Sequence, residues 1–161
     1  MDETLIDLAD KAGQILVKKK FTIAIAESVT SGNLQAVFSL AKNAISFYQG
    51  GITAYNIGQK CKHLSVEPTH AIDCNCVSGK VSNEMAIAVA QMFCSDIGLS
   101  STGYASPVPE QNISKLYAHI SISKKGKIIL SKKINAPNKP PYEVQIFYSK
   151  KLIELLISVL K

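Results

Sequence analysis

Residues 21–41 read FTIAIAESVTSGNLQAVFSLA, and this stretch decides the fold class. Residues 21–26 form an almost continuous apolar run with β-branched side chains, which is typical of a central strand covered on both faces. The polar residues 27–33 interrupt the run, and residues 34–41 resume with helical spacing. The order of strand, polar turn and helix indicates a layered α/β domain.

The rest of the chain continues to alternate between helix and strand patterns. Further helices are predicted for residues 3–19, 57–64, 78–94 and 144–159, with Ser78 expected to cap the helix over 78–94. Further strands are predicted for residues 52–55, 99–103, 116–122 and 128–130, the last two joined by a turn at Lys125 and Gly126. We therefore predict a single domain over residues 1–161, a three-layer α/β/α fold with a mixed, mostly parallel sheet and one hairpin.

The chain is basic, and all of its positively charged side chains are of one residue type. It has 18 basic residues, all lysine, against 12 acidic residues, which gives a net charge of +6. Arginine makes the bidentate contacts that read guanine edges, so its absence argues against specific nucleic-acid recognition. We expect the lysines to act mainly as solvated charges that keep the chain soluble.

Composition also bears on where the protein works. No apolar run approaches the length of about 18 residues that a membrane span requires. The start Met1-Asp2-Glu3 is acidic and does not resemble a signal peptide, so a cytoplasmic protein is expected. In that compartment the four cysteines are expected to be free thiols: Cys61, Cys74, Cys76 and Cys94.

The turn at residues 26–32, AESVTSG, lies where the first strand hands over to a helix. Hydroxyl groups and main-chain amides at such a helix start suit a phosphate or a carboxylate ligand. Serine and threonine are also ordinary helix caps, so a structural role is the alternative. The turn matches neither the phosphate-binding loop nor the dinucleotide fingerprint, which argues against an ATPase or a nicotinamide-dependent dehydrogenase.

Four motifs in a fixed order make the chain recognisable. They are AESVT at residues 26–30, GGITAY at 50–55 followed by Lys60, VS at 77–78, and TGYASP at 102–107. With these motifs nearly the whole chain resembles the CinA carboxy-terminal domain, the nicotinamide mononucleotide amidohydrolases. The resemblance implies a small nucleotide-like ligand and hydrolysis of its carboxamide to a carboxylate and ammonia, without a cofactor.

The same resemblance implies a serine nucleophile assisted by a lysine and a tyrosine. Tyr55 and Lys60 occupy the family's tyrosine and lysine positions, with Tyr55 expected to orient or relay a proton. The serine assigned as nucleophile in typical members falls on Ile45, and Ser46 follows one residue later. Our expected catalytic residues are therefore Tyr55, Lys60 and Ser46, with the hydrolytic activity weak or lost if Ser46 does not reach the other two.

The substrate-binding residues expected from the family motifs are Glu27, Ser28, Thr30, Thr102, Gly103 and Lys139. Members of the family commonly carry arginines before the last helix, and the resemblance implies that these arginines contact the substrate phosphate. This chain has no arginine. Lys139 would therefore contact the phosphate as a single positive charge, without the bidentate hydrogen bonds that an arginine makes.

Two hypotheses remain open on the sequence alone. The first is the amidohydrolase, and the second is a non-catalytic module that binds a nucleotide or another protein. The position of Ser46 relative to Lys60 separates them. A metal site is not expected, because Cys61, His63, His70, Cys74 and Cys76 match no standard zinc spacing. The sequence is compatible with a homo-oligomer and does not specify one.

Overall fold

The computed structural model describes residues 4–161. Its helices are α1 (Leu5–Lys19), α2 (Asn33–Leu40), α3 (Ile57–Leu64), α4 (Pro68–Asp73), α5 (Gly79–Met92) and α6 (Pro141–Leu160). Its strands are β1 (Ile23–Glu27), β2 (Tyr48–Thr53), β3 (Ile97–Gly103), β4 (Tyr117–Lys124) and β5 (Lys127–Asn135). None of the helices within residues 4–161 has the length and apolar character needed to cross a bilayer.

The five strands form one sheet in the order β2-β1-β3-β4-β5. β1 lies between β2 and β3 and pairs with both in parallel, whereas β4 runs antiparallel to β3 and to β5. Four of the five strands thus point in the same direction. The carboxyl ends of β1, β2 and β3 meet at one edge of the sheet, and we call this edge the carboxyl edge.

Helices cover both faces of the sheet. Ile23 and Ile25 of β1 pack with residues of α1, α2 and α6 in one buried cluster. Ala24 and Ala26, on the opposite face of the same strand, pack with residues of α3, α4 and α5 in a second cluster. This alternation places β1 at the centre of the domain. It confirms the predicted three-layer α/β/α fold.

Several elements were predicted closely. α3 has the predicted bounds, and the hydroxyl of Ser78 caps α5 by accepting a hydrogen bond from the Val81 amide. The turn between β4 and β5 is at Lys125 and Gly126, both with positive φ, as a tight hairpin requires. Since β4 runs back from the carboxyl edge, this turn lies at the opposite edge of the sheet, which we call the amino edge.

Other element boundaries differ from the prediction. β2 begins at Tyr48, four residues before the predicted start, because Gly50 and Gly51 pair with β1 instead of preceding the strand as a turn. α4 was not predicted at all, and it is short and begins with a proline. The first helix begins at Leu5, capped by Thr4, whereas the predicted start at Glu3 lies outside the described residues.

Candidate functional site

A cleft of about 600 Å³ opens at the carboxyl edge of the sheet. Ser28 after β1, Tyr55 after β2, and Thr102 at the end of β3 all line it. The chain leaves β1 towards β2 on one side, and β3 is added on the other side, so strand order reverses here. In open α/β sheets this reversal point at the carboxyl ends of the strands is where ligands bind.

The turn that carries Ser28 is held from inside the protein. Both carboxylate oxygens of the buried Glu27 accept hydrogen bonds from main-chain amides at the start of α2: Gly32, Leu34 and Gln35. A negative charge at a helix amino terminus is favourable, because the amides there have no partner within the helix. Glu27 therefore fixes where the turn goes after β1. The amide of Ser28 still donates to the carbonyl of Ser101 on β3.

Lys60 reaches the cleft from α3. Asn56 caps this helix by accepting a hydrogen bond from the Gln59 amide, which sets the first turn and hence the direction of the Lys60 side chain. Lys60 is only 2% exposed. Within residues 4–161 it forms no ion pair with a carboxylate. Burial without a negative partner lowers the pKa of the Lys60 amine, although the nearby Cys76 and Cys61 thiols act in the opposite direction.

The side chains of Ser28 and Lys60 meet in the cleft. Lys60 Nζ donates to Ser28 Oγ at 2.9 Å and to the carbonyl oxygen of Tyr55 at 3.1 Å. A lysine whose pKa is lowered by burial can lose its proton and then accept one from a hydroxyl group. A serine within hydrogen-bonding distance of such an amine has the arrangement of a nucleophile and its base.

Tyr55 contacts Lys60 through its main chain, and its side chain lies at the rim of the cleft. Its hydrogen bond with Lys60 is through the main-chain carbonyl and not through the phenol group. The Tyr55 side chain is 76% exposed, at the rim of the cleft. It is placed to contact a ligand, and the carbonyl of the same residue orients the lysine.

The structure does not bring Ser46 to Lys60, and this corrects the predicted catalytic set. Ser46 lies in a short 3₁₀ turn just before β2, at the amino edge of the sheet. β2 has six residues, and at about 3.3 Å per residue its ends lie about 20 Å apart. Tyr55 and Lys60 follow the other end. Ile45 does not fill the expected nucleophile position either, because it is 93% exposed at the amino edge.

Three predicted substrate-binding residues also lie away from the cleft. The carboxylate of Glu27 is occupied by the three amides of α2, and Thr30 is fully buried, with its hydroxyl 2.7 Å from that of Ser101. Lys139 is exposed and pairs with Glu143 one turn along the chain, at 3.1 Å. The side chains of Glu27 and Thr30 stabilise the turn after β1 from its buried side, so these two motif positions have a structural role.

The other predicted substrate-binding residues do line the cleft. They are Ser28, Thr102 and Gly103. The hydroxyl of Thr102 donates to the carbonyl of Cys76 at 2.7 Å and so ties β3 to the loop after α4. Gly103 has no room for a side chain, because an added Cβ would lie 2.5 Å from the Tyr117 carbonyl oxygen. Gly103 thus allows β4 to pack closely beside the cleft.

Sequence reasoning missed a set of amide and phenol groups in the cleft. The Asn75 side-chain amide donates to the Tyr104 hydroxyl at 3.2 Å and to Gln111 Oε1 at 2.6 Å. Gln145 lines the cleft from α6. Only Tyr104 belongs to a motif that the sequence analysis singled out. The others come from three separate segments that only the folded chain brings together.

Cys76 also lines the cleft next to Lys60. Burial raises the pKa of its thiol, and the Lys60 charge acts in the opposite direction. Residues 4–161 contain no group of three or more His, Cys, Asp or Glu side chains arranged to hold a metal ion.

Comparison with known proteins identifies relatives along most of the chain. A family model described as the CinA C-terminal domain matches residues 5–155. A putative competence-damage inducible protein of Halothermothrix orenii is 39% identical over 106 residues, which cover 66% of this chain and 25% of that protein. A CinA-like protein of Chlorobium chlorochromatii is 30% identical over 132 residues, covering 80% of this chain and 31% of that protein. The chain thus spans about a quarter to a third of the length of these relatives.

Solved structures agree with the fold. A competence or damage-inducible protein from Enterobacter asburiae superposes with a TM-score of 0.93 at 20% identity, covering 99% of this chain and 100% of that one. A CinA superfamily protein from Escherichia coli superposes with a TM-score of 0.88 at 23% identity, covering 97% and 90% of the two chains. At these identities the likeness bears on the fold.

Proposed function

Because the chain belongs to the CinA C-terminal domain family, we propose that it is a cytoplasmic amidohydrolase in which Ser28 is the nucleophile and Lys60 the base. The reaction we propose is hydrolysis of the carboxamide of a nicotinamide mononucleotide type substrate to a carboxylate and ammonia. The expectation that Ser46 supplies the nucleophile is thereby replaced. With Ser28 as the nucleophile, the absence of a serine at position 45 is no argument against hydrolysis of the carboxamide.

One observation carries the proposal, the 2.9 Å contact between Lys60 Nζ and Ser28 Oγ in a cleft at the carboxyl edge. A serine hydroxyl is a poor nucleophile until a neighbouring base takes its proton. A surface lysine is protonated at neutral pH and therefore cannot accept the proton of the serine hydroxyl. Lys60 is buried, lacks a carboxylate partner within residues 4–161, and has a lowered pKa, which favours the neutral amine that a base requires.

The proposed reaction proceeds in two halves. Ser28 Oγ attacks the carboxamide carbon while Lys60 takes the hydroxyl proton, and the tetrahedral intermediate then breaks its carbon–nitrogen bond. The Lys60 ammonium returns the proton to the leaving nitrogen, which departs as ammonia and leaves an ester on Ser28. A water molecule, deprotonated by Lys60, attacks the ester carbon. The bond between this carbon and Ser28 Oγ then breaks, the Lys60 ammonium returns the proton to Ser28 Oγ, and the product leaves as the acid, which ionises to the carboxylate.

The main chain offers a donor for the negative oxygen of the intermediate. The amide of Val29 directly follows Ser28, and it makes no hydrogen bond within residues 4–161. The amide after a serine nucleophile is a common source of oxyanion stabilisation in hydrolases. The Tyr55 carbonyl, which accepts from Lys60 at 3.1 Å, keeps the amine directed at Ser28 during both halves.

The test is an assay of ammonia release from nicotinamide mononucleotide by the wild-type chain. Release that disappears in Ser28→Ala supports the proposal. If the wild type releases no ammonia but the nucleotide raises its melting temperature, the cleft binds without catalysis and the binding-module hypothesis holds. If the nucleotide is neither hydrolysed nor bound, this substrate is wrong.

A further inference from the structure

The charges in the cleft limit what kind of substrate it takes. Of the cleft residues in the described part of the chain, Lys60 alone carries a charged side chain. Its amine is directed inward, with hydrogen bonds to Ser28 and to the Tyr55 carbonyl. If Lys60 is the base of the proposed mechanism, it must also spend part of the cycle uncharged. It is therefore not available as a permanent partner for an anionic group.

Two lysines outside the cleft have other partners. Lys139, the residue expected to contact a phosphate, pairs with Glu143 at 3.1 Å and does not line the cleft. The amine of Lys133 lies over the Tyr117 ring, 3.8 Å from its centre, and is likewise outside the cleft lining. A phosphate carries a charge of about −1.5 to −2 at neutral pH and requires cationic or several amide donors when it leaves water.

The groups that are present suit a neutral polar ligand. Asn75 uses both protons of its side-chain amide on Tyr104 and Gln111, which leaves the carbonyl oxygen of Asn75 and the amide nitrogen of Gln111 for a ligand. Gln145 adds a further amide from α6. Neutral donors and acceptors of this kind pair with hydroxyl and carboxamide groups. The exposed ring of Tyr55 at the rim offers a face for a flat ring to stack on.

From this lining we infer that the cleft recognises a carboxamide and its sugar hydroxyl groups without recognising a phosphate, so that its substrates include carboxamides that carry no phosphate, such as a nucleoside. The inference rests on the proposed function for the position of the carboxamide at Ser28. The net charge of +6 attracts any anion weakly at long range. Ligands with and without a phosphate are therefore compared at about 150 mM salt, where that attraction is screened.

The test compares nicotinamide riboside with nicotinamide mononucleotide, which differ only by the phosphate. Dissociation constants are measured by calorimetry on Ser28→Ala, or on the wild type if it proves inactive. The inference expects the riboside to bind as tightly as the mononucleotide, within about fivefold, or more tightly. Tighter binding of the mononucleotide by more than that factor overturns it. Absence of riboside binding at millimolar concentration overturns it as well.

Two variants give the comparison an internal control. Gln145→Arg places a cation in the cleft lining and is expected to raise the affinity for the mononucleotide about tenfold relative to the affinity for the riboside, because both compounds lose the same amide contact and only the mononucleotide gains a charge partner. Lys139→Ala is expected to change neither constant, because Lys139 lies outside the cleft. Weaker mononucleotide binding in Lys139→Ala, with the riboside unaffected, would show that this lysine reaches the phosphate and would overturn the inference.

The outcomes separate the inference from the proposed function. If the mononucleotide is hydrolysed and binds much more tightly than the riboside, the amidohydrolase stands and the phosphate-free substrate class falls. If the riboside binds well and neither compound releases ammonia, the ligand class stands and the hydrolysis falls. A wild-type kcat/KM for the riboside within about fivefold of that for the mononucleotide supports both.

Discussion

Ser28 and Lys60 are 32 positions apart in the sequence, yet their side chains are joined by a 2.9 Å hydrogen bond. One residue follows the central strand β1, and the other lies on the helix that follows β2. Parallel pairing of β1 and β2 brings their carboxyl ends to the same edge and is the physical reason that the two side chains meet.

Replacement of Ser28 by alanine is expected to lower kcat for ammonia release about 1000-fold or more, because the hydroxyl that attacks the carboxamide is removed. The matched control is Ser46→Ala, which removes an exposed serine at the amino edge and is expected to leave kcat and KM unchanged. Loss of activity in Ser46→Ala with retention in Ser28→Ala would reverse the assignment of the nucleophile.

Replacement of Lys60 by methionine is expected to lower kcat about 10²- to 10⁴-fold, since the base is lost while the length of the side chain is kept. In the wild type, kcat/KM is expected to rise with pH through the lowered pKa of Lys60, because only the neutral amine accepts the serine proton. The residual activity of Lys60→Met is expected to lack this rise. A wild-type profile that does not rise at any pH below about 10.4, the value of an unperturbed lysine, would argue against Lys60 as the base.

The same lysine predicts how stability depends on pH. Burial lowers the pKa of Lys60 in the folded chain, so at intermediate pH the unfolded chain binds more protons at this residue than the folded chain does. The free energy of unfolding is therefore expected to rise with pH between the lowered pKa and the unfolded value of about 10.4. Melting temperatures of wild type and Lys60→Met across this range measure it. The melting temperature of the wild type minus that of Lys60→Met should increase as the pH increases.

Replacement of Glu27 by glutamine is expected to lower the free energy of unfolding by about 2 kcal/mol, because an NH₂ group then faces amides that need an acceptor. Urea denaturation measures the change. The control is Glu143→Gln, which removes an exposed i,i+4 ion pair and is expected to cost less than about 0.5 kcal/mol. Equal losses in the two variants would contradict the role given to Glu27.

Two glycines give opposite expectations for substitution by alanine. A Cβ on Gly98 of β3 would lie 1.8 Å from the Ala86 carbonyl oxygen of α5, so Gly98→Ala is expected to lose about 3 kcal/mol or more. On Gly58 of α3 the nearest such atom is 3.5 Å away, and Gly58→Ala is expected to gain about 0.5 to 1 kcal/mol from helix propensity. Thermal unfolding of both variants checks the packing of α5 on the sheet.

The sequence was sufficient for features that depend on local chemistry. The first strand, the cap at Ser78 and the tight turn at Lys125 and Gly126 follow from hydrophobic spacing, a hydroxyl before an apolar helix, and a lysine–glycine pair between strands. β2 was placed too late, because Gly50 and Gly51 resemble a turn. In the structure these glycines allow close packing, since an added Cβ on Gly51 would lie 2.5 Å from the Ile25 carbonyl oxygen.

The site required the tertiary structure for a similar reason. Aligning motifs along the chain places the family's nucleophile on Ile45, which left Ser46, one residue later, as the predicted nucleophile, but sequence position does not reveal at which end of a strand a residue lies. The register of β1 with β2, in which Ile23 pairs with Tyr48 and Glu27 with Thr53, places Ser46 at the amino edge. The same register brings Ser28 next to Lys60, although the two residues belong to separate sequence motifs.

The turn between β4 and β5 offers a practical use of this geometry. Lys125 and Gly126 lie at the amino edge, and an added Cβ on Gly126 would meet no described atom within 4 Å. The length of the sheet thus separates this position from the cleft. A cysteine-bearing peptide inserted there would carry a fluorophore or a surface linker, and would allow ligand binding to be followed on an immobilised protein whose cleft stays open to solvent.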